Sequence, residues 1–221
     1  MDLMETKLAV IIPTVDLLDM LKVLVKNVFD YTSGDYQVYV IENGQKEETI
    51  KWLKTQNVKA ILNETNKGLS PAWNAGIREA LKDKCTHFAL LSDDIELSEH
   101  WWDGCKKEFK KGSHLVSVES PFRHAHCIYS GWFYIIDKEV LDKVGYMDEQ
   151  FSPFYFEDLD YSQRFVESGL KYSYADFEVV HHDSATIIGK IKKNDPEFYF
   201  DVYRRNKRKF RAKYPNLTFR M

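Results

Sequence analysis

The sequence predicts an α/β fold with a mainly parallel central sheet, helices on both of its faces and a basic helix at the C-terminal end. Short apolar runs alternate with amphipathic segments over the first 95 residues, and Pro or Gly often ends a run. Such alternation is typical of parallel sheets, because successive parallel strands are joined by crossover helices. The chain of 221 residues is 44% hydrophobic and 29% charged, which excludes disordered, collagen-like and coiled-coil classes.

The first half gives the clearest element signals. Its predicted strands are Lys7–Ile12, Tyr36–Ile41, Val58–Leu62 and His87–Leu91. The first of them is an unbroken apolar run stopped by Pro13, as expected of a strand buried on both faces. The predicted helices are Leu17–Phe29, Glu47–Thr55 and Ser70–Lys82, the last with Ser70 as N-cap and Pro71 at its first position.

The second half is less regular. The segments with strand signals are Leu115–Val118, Ile128–Ile136 and Lys171–Ala175. The segments with helix signals are Lys138–Val144, Leu159–Glu167 and Asp195–Lys213, the last with Asp195 as N-cap and Pro196 just inside. We therefore expect one domain with two halves, residues 1–95 and 96–189, followed by a basic helix and tail over 190–221.

The net charge of −3 conceals an asymmetry. Residues 190–221 carry 11 lysines and arginines against 3 acids, whereas the rest of the chain is acidic. This pattern indicates that the tail contacts something anionic, either nucleic acid or a membrane surface, and a solvated amphipathic helix is the alternative. Acids at the start of the chain and scattered cysteines (Cys85, Cys105, Cys127) lead us to expect a cytoplasmic protein without a signal peptide or transmembrane segment.

Polar groups follow all four strands of the first half. They are Pro13–Asp16, Glu42–Gly44, Asn63 with Asn66–Gly68, and Ser92–Asp94. Ligands of open parallel sheets bind beyond the carboxyl ends of the strands, so we expect these groups to share one site. The adjacent acids Asp93 and Asp94 repel each other unless a cation is near, which favours Mg²⁺ or Mn²⁺; a helix N-cap is the alternative.

Further candidates lie in the second half. Glu157, Asp158 and Asp160 are set among aromatic residues, which would favour a general base, although acids in a first helical turn are an alternative. One of His181 and His182 is a candidate metal ligand. A Cys127 nucleophile with His124 or His126 is disfavoured against a core cysteine. No GxGxxG, GxxxxGK[ST] or GxSxG motif is present, which disfavours NAD-type enzymes, P-loop NTPases and serine hydrolases.

Four segments, in order, resemble a family-2-type glycosyltransferase with the GT-A (nucleotide-diphospho-sugar transferase) fold, closest to its rhamnosyltransferase-like branch. They are Ala9–Thr14, Asn66–Gly76, Leu91–Ile95, and Gly145–Phe151 followed by Glu157–Asp160. The resemblance covers roughly residues 7–210. It implies a nucleotide-sugar donor and a divalent cation, Mn²⁺ or Mg²⁺.

The resemblance also implies residue roles. The donor-binding residues would be Pro13, Thr14, Asp16, Glu42, Asn66, Lys67, Gly68, Asn74, Asp93 and Arg205. Asp94 and His181 would be metal ligands, Asp158 the catalytic base with Glu157 as the second candidate, and Gly131 with Trp132 the sugar and acceptor pocket. Glu42 stands where the family usually has Asp, which leaves the nucleobase open.

The implied reaction is a metal-dependent, inverting transfer of a hexose, deoxyhexose or pentose. The acceptor hydroxyl would belong to a glycan, a lipid-linked glycan or another phosphate-bearing acceptor such as a modified nucleic acid, with peripheral membrane contact through the tail. Two alternatives remain at this point: a GT-A-like module that only binds, and a nucleotidyltransferase, which is disfavoured because a Gly-rich phosphate loop with Lys is missing near the first strand.

Overall fold

The computed structural model describes residues 6–119, 127–182 and 185–217. The strands are β1 (Lys7–Thr14), β2 (Asp35–Glu42), β3 (Lys59–Leu62), β4 (His87–Leu91), β5 (Ile95–Leu97), β6 (Leu115–Ser117), β7 (Phe133–Asp137), β8 (Tyr172–Tyr174) and β9 (Val179–His181). The helices are α1 (Leu18–Tyr31), α2 (Glu47–Leu53), α3 (Leu69–Lys82), α4 (Trp101–Lys110), α5 (Lys138–Lys143), α6 (Glu157–Glu167) and α7 (Pro196–Lys213). A 3-10 turn spans Glu149–Phe151 and a π-helical segment spans Ala185–Lys192.

Seven strands form the central sheet in the order β3-β2-β1-β4-β7-β6-β8. Strand β7 is antiparallel to both of its neighbours, and the other pairings are parallel. The predicted mainly parallel sheet is therefore confirmed. Because β1 to β4 run in the same direction, the loops that follow them emerge at one edge, where Thr14 is level with Glu42. A separate antiparallel pair, β5 with β9, lies beyond that edge.

Two apolar layers cover the sheet, one on each face. Alternate residues of β1 point to opposite layers. Ala9 and Ile11 pack in the layer that contains α3, α5, α6 and α7, whereas Leu8, Val10 and Ile12 pack in the layer that contains α1 and α4. All of these β1 side chains are buried, which is why the strand reads as an unbroken apolar run. The predicted helices on both faces are confirmed.

Helix α3 begins one residue earlier than the sequence predicts. Gly68 precedes it with a φ of +89°, and Ser70 lies inside the first turn, so Ser70 is not the N-cap. The first backbone donor is satisfied from a distant loop, since Leu69 N donates to Pro153 O at 2.9 Å. A Cβ on Gly68 would lie 2.6 Å from Pro153 Cα, so this close approach requires glycine.

One predicted strand in the second half starts too early, and three elements were not predicted. The segment predicted as a strand from Ile128 is a loop until β7 starts at Phe133, because the backbone of Ser130 bonds locally: its N–H donates to Ser117 Oγ at 3.0 Å and its carbonyl accepts from Phe133 N at 2.9 Å. Helix α4 was not predicted, although Trp101, Cys105 and Phe109 are buried at helical spacing. The strands β5 and β9 were also not predicted, since each has only three residues.

His87 should make stability depend on pH. Its side chain is 6% exposed and packs edge-on against Phe109, and burial lowers its pKa from 6.5 to about 4. Between pH 6.5 and about pH 4, His87 is therefore more often protonated in the unfolded chain than in the folded chain. The folded state consequently keeps its full stability above pH 6.5 and loses stability as the pH falls toward 4. From pH 7 to pH 4.5 we expect a loss of about 2 kcal/mol from this group. Denaturant unfolding of His87→Phe should give a flatter pH profile; a profile parallel to the wild type would contradict the prediction.

Candidate functional site

A cavity of about 850 Å³ opens at the edge where β1 to β4 end. Twelve of the sixteen residues singled out from the sequence line it: Pro13, Thr14, Asn66, Gly68, Asp93, Asp94, Gly131, Trp132, Glu157, Asp158, His181 and Arg205. Residues far apart in the chain meet there because the parallel strands direct their following loops to the same edge.

The two acids after β4 point in different directions. Asp94 Oδ1 lies 3.6 Å from His181 Nε2 and accepts a hydrogen bond from Ser92 Oγ, while Oδ2 accepts from Ala185 N at 2.8 Å. Asp93 Oδ2 instead accepts from Val15 N at the end of β1, at 3.4 Å. Both carboxylates are buried, and β5 follows directly, so the N-cap alternative for this pair is wrong.

Burial raises the pKa of Asp93 to about 7, and the neighbouring negative charge of Asp94 adds to the rise. A second charge on this buried pair is therefore costly without a cation. Asp94 and His181 supply an oxygen and a nitrogen donor suited to a divalent cation. Within the described ranges, no group of three or more His, Cys, Asp or Glu residues is placed to hold a metal ion.

The short pair β5 and β9 decides which histidine faces Asp94. In this antiparallel pair Ile95 is level with His181, and the Trp132 ring stacks on the His181 ring with centroids 4.8 Å apart. His182 points elsewhere, with Nε2 2.8 Å from Glu96 Oε1. The structure therefore selects His181 from the histidine pair as the candidate ligand.

Glu157 and Asp158 begin α6 at the opposite wall of the cavity. Phe156 precedes them with a φ of +74° and provides no side-chain cap. Glu157 is 6% exposed, and its Oε2 has no hydrogen-bond partner among the described residues. Burial, and then the charge of Asp158, hold the pKa of Glu157 well above its usual range. Burial and the adjacent charge therefore favour the protonated form of Glu157.

The Asp158 carboxylate lies against Gly131, where an added Cβ would be 3.5 Å from Oδ2. Its Oδ1 accepts from the backbone of Leu159 at 2.8 Å, and its backbone carbonyl accepts from Tyr129 Oη at 3.2 Å. These contacts fix the start of α6 in the cavity wall. Glycine at 131 leaves the space in front of the carboxylate open.

Asp160, the third acid of this cluster, is turned away from the cavity. Its carboxylate pairs with Arg164 at 2.9 Å and with Lys213 at 2.6 Å, and it accepts from Tyr214 Oη. The role of Asp160 is therefore to join α6 to α7. Two residues along a helix rotate a side chain by about 200°, which separates Asp158 in the cavity wall from Asp160 in the core.

Four predicted donor-binding residues do not line the cavity. The carboxylate of Glu42 accepts from Gly44 N and Gln45 N and shapes the turn after β2. The amide of Asn74 is occupied by the backbone of Met147, at 2.9 and 3.0 Å. These two side chains are buried and already have their partners, so the structure gives them positioning roles.

The other two residues outside the cavity are Asp16 and Lys67. Asp16 has a φ of +57°, and its carbonyl accepts from Lys190 of the π-helical segment. Lys67 is exposed, and its carbonyl accepts from Ser152 Oγ at 2.6 Å. Both backbone contacts connect strand-end loops to later segments of the chain.

The sequence placed Asn43 in the strand-end group Glu42–Gly44 expected at the site but assigned it no role of its own. Asn43 lines the cavity, donates from Nδ2 to Gly68 O at 3.3 Å and accepts from Asn63 Nδ2 at 2.7 Å. Sequence reasoning did miss the apolar wall residues Ile187, Ile188, Ile191 and Phe198. The Asn43-Gly44 pair at a strand end was a usable signal for Asn43. The four apolar residues, by contrast, reach the cavity only because of how the chain returns over it.

The basic helix α7 belongs to the body of the fold. Val202, Asn206 and Phe210 are buried, and Asn206 Nδ2 donates to Phe154 O at 2.9 Å. Arg205 reaches the cavity, where it donates to Ser152 O at 2.6 Å. Helix α7 is therefore amphipathic, with an inner face that packs on the body, and this is compatible with the alternative of a solvated amphipathic helix.

Cys127 lies in the cavity wall as a buried thiol 3.2 Å from Ser162 Oγ. The histidines considered as its partners, His124 and His126, lie outside the described residues. Over the described part of the chain, no helix is both long and apolar enough to cross a membrane.

Several solved structures share this fold. The mannosyltransferase PcManGT from Pyrobaculum calidifontis, in complex with GDP-Man and Mn²⁺, matches with a TM-score of 0.65 and 15% identity over 84% of this chain, which spans 60% of that protein. S. aureus TarS 1-349 matches with a TM-score of 0.68 and 14% identity over 97% of this chain and 67% of that chain. GalNAc-T7 with UDP, GalNAc and Mn²⁺ matches with a TM-score of 0.66 and 17% identity, over 95% of this chain and 50% of that chain.

A sequence comparison with curated proteins gives no match. A family model does match: residues 9–148 fit that of glycosyl transferase family 2. This range contains the β1 end, the Asn66–Gly76 stretch and the Asp93–Asp94 pair, and the solved structures above share the sheet that brings them together. The chain therefore belongs to glycosyltransferase family 2 and has the GT-A fold.

Proposed function

We propose that this chain transfers a sugar from a nucleoside-diphosphate sugar to an acceptor hydroxyl, with a divalent cation and with inversion at the anomeric carbon. The observation that carries the proposal is that Asp94 and Asp158, from opposite halves of the sequence, line one cavity. A leaving-group site and a proton acceptor in one cavity are what a single-displacement transfer needs.

The solved structures support the choice of ligands. PcManGT was crystallised with GDP-Man and Mn²⁺, TarS with UDP-GlcNAc, and GalNAc-T7 with UDP, GalNAc and Mn²⁺. For the present chain we infer a nucleotide-sugar donor and Mn²⁺ or Mg²⁺. The donor would enter from the ends of β1 and β2, where Thr14 and Asn43 line the cavity.

Asp94 and His181 would hold the cation. When bound, it would act as a Lewis acid that neutralises the diphosphate leaving group. Ser92 and Ala185 fix the Asp94 carboxylate by hydrogen bonds, and Trp132 fixes the plane of the His181 ring by stacking. Arg205 adds a positive charge to the cavity wall, close to where we expect the diphosphate.

Asp158 is the proposed general base. Its carboxylate would take the proton of the acceptor hydroxyl as the hydroxyl oxygen forms a bond to the anomeric carbon. The bond from that carbon to the diphosphate oxygen breaks, and both electrons leave with the diphosphate. Attack from the face opposite the leaving group inverts the carbon. Burial favours the protonated form of Glu157 and so disfavours a second negative charge beside Asp158.

The finer assignments remain predictions. They are transfer of a hexose, deoxyhexose or pentose, an acceptor that is a glycan, a lipid-linked glycan or a modified nucleic acid, membership of the rhamnosyltransferase-like branch, and the division of the domain near residue 95.

A thermal-unfolding panel of UDP-, GDP- and dTDP-sugars, each with and without Mn²⁺, tests the proposal. A ligand that binds only the folded chain should stabilise it by about 2.7 kcal/mol at a hundredfold excess over Kd. We expect one donor to raise Tm only when Mn²⁺ is present, and to release its nucleoside diphosphate during turnover. Pyrophosphate release, or no shift with any nucleotide sugar, would count against it.

A further inference from the structure

The mouth of the cavity is bordered by exposed apolar side chains. Ile188, Phe198 and Phe200, here called the lip, are 46%, 44% and 45% exposed, and the first two also line the cavity. They come from the π-helical segment and the first turns of α7. Large apolar side chains grouped at the entrance of a site mark an interaction surface rather than ordinary exposure.

Basic side chains adjoin the lip. Lys192 Nζ lies 5.3 Å from the ring centroid of Tyr199 and 6.0 Å from that of Phe200, and Lys193 follows in the chain as an exposed residue. A Lys beside aromatic and aliphatic side chains combines positive charge with apolar surface at one place.

The outward face of α7 extends this positive charge away from the lip. Val202, Asn206 and Phe210 define the buried face, so helical spacing places Arg204, Arg208 and Arg211 on the outward face with Phe200. These three arginines are exposed. The outward face of α7 is therefore basic with an aromatic residue at its start.

Acidic residues of the same stretch do not cancel this charge. Asp195 caps α7 by accepting from Phe198 N at 2.9 Å, and Asp201 pairs with Arg204 at 2.5 Å, while Glu197 is exposed in the first turn. Lys192, Lys193, Arg208 and Arg211 leave an excess of positive charge beside the lip.

Three other cations of the tail have partners in the body of the fold. Lys190 donates to Asp16 O, Lys209 to Gln150 O, and Lys213 lies 2.7 Å from Asp148. The basic tail thus has two functions. Its inner cations attach α7 to the body, and its outer cations face away from it.

We propose that the lip and the outward basic face of α7 form one surface that docks on an anionic lipid bilayer, with the cavity opening toward the bilayer. Apolar side chains that enter the headgroup region, flanked by Lys and Arg that pair with anionic headgroups, are the two elements of interfacial binding. Nucleic acid fits less well, because aliphatic Ile188 offers no ring for base stacking and Phe198 packs against Phe154. Docking itself does not depend on the proposed function. Only its consequence does: the acceptor hydroxyl would be carried by a lipid headgroup or a lipid-linked glycan.

Co-sedimentation with phosphatidylcholine vesicles, with and without phosphatidylserine, tests the docking. We expect the wild-type chain to sediment with phosphatidylserine vesicles at low salt and to remain in solution with phosphatidylcholine alone. Phe200→Ser, at the part of the lip that does not line the cavity, and the double variant Arg208→Glu/Arg211→Glu should each bind about tenfold more weakly. Val166→Ser, which removes an exposed apolar residue of α6, should bind as the wild type does.

Thermal unfolding with the nucleotide-sugar panel, run on the same samples without vesicles, reports folding and the donor site separately. A variant that keeps its donor shift but loses sedimentation supports the proposal. No sedimentation of the wild type, equal sedimentation of wild type and lip variant, or capture by an oligonucleotide but not by vesicles would overturn it. A missing donor shift with intact sedimentation would instead count against the proposed function alone.

Discussion

Asp158→Asn is expected to lower kcat by about 10²–10⁴-fold, because an amide cannot take the proton of the acceptor hydroxyl. The substitution keeps the size of the side chain, and the Leu159 N–H that donates to Asp158 Oδ1 can still donate to the amide oxygen. Donor binding should survive, since the proposed donor contacts lie at the opposite wall. Initial rates at saturating donor, together with the donor-induced Tm shift, separate loss of chemistry from loss of binding.

Glu157→Gln is the matched control for this experiment. Burial and the adjacent charge of Asp158 raise the pKa of Glu157 and favour its protonated form, and glutamine has nearly the same shape as a protonated glutamate. We therefore expect a change in kcat that is small beside that of Asp158→Asn. A larger loss in Glu157→Gln than in Asp158→Asn would assign the base to Glu157 instead.

Asp94→Asn should abolish the Mn²⁺-dependent part of donor binding and lower activity by at least about a hundredfold, because Lewis-acid stabilisation of the leaving group amounts to several kcal/mol. The buried position of Asp94 and its bonds from Ser92 and Ala185 hold the carboxylate at the centre of the cavity wall. The readout is the Tm shift produced by Mn²⁺ and donor together, which does not depend on turnover.

The histidine pair offers a control for the same prediction. His181→Gln should weaken the Mn²⁺-dependent shift, whereas His182→Gln should leave it unchanged, since the His182 ring contacts Glu96 and only its backbone N–H contacts Asp94, through the Asp94 carbonyl. Equal effects of the two substitutions, or an undiminished shift in Asp94→Asn, would refute the assignment of this cation site.

Much of the fold could be predicted because its signals are local. The apolar run of β1, the helical spacing of α1 and the Asp195-Pro196 start of α7 each lie within one element, and the structure places these elements within a few residues of the prediction. The strand-end rule also located the cavity, since parallel strands must release their loops at one edge. Short elements such as β5 and β9 carry too few residues for a periodic signal, and they were missed.

The sequence by itself determined the element types, the edge of the sheet that carries the site and a set of polar residues there. Only the tertiary structure decided which of those residues face the cavity: Asp158 but not Asp160, and His181 but not His182. The physical reason is that one residue's shift rotates a side chain by about 100° on a helix and to the opposite face on a strand. Local sequence patterns do not determine which way each side chain points. Packing against α7 sets the orientation of α6, and pairing with β5 sets the orientation of β9.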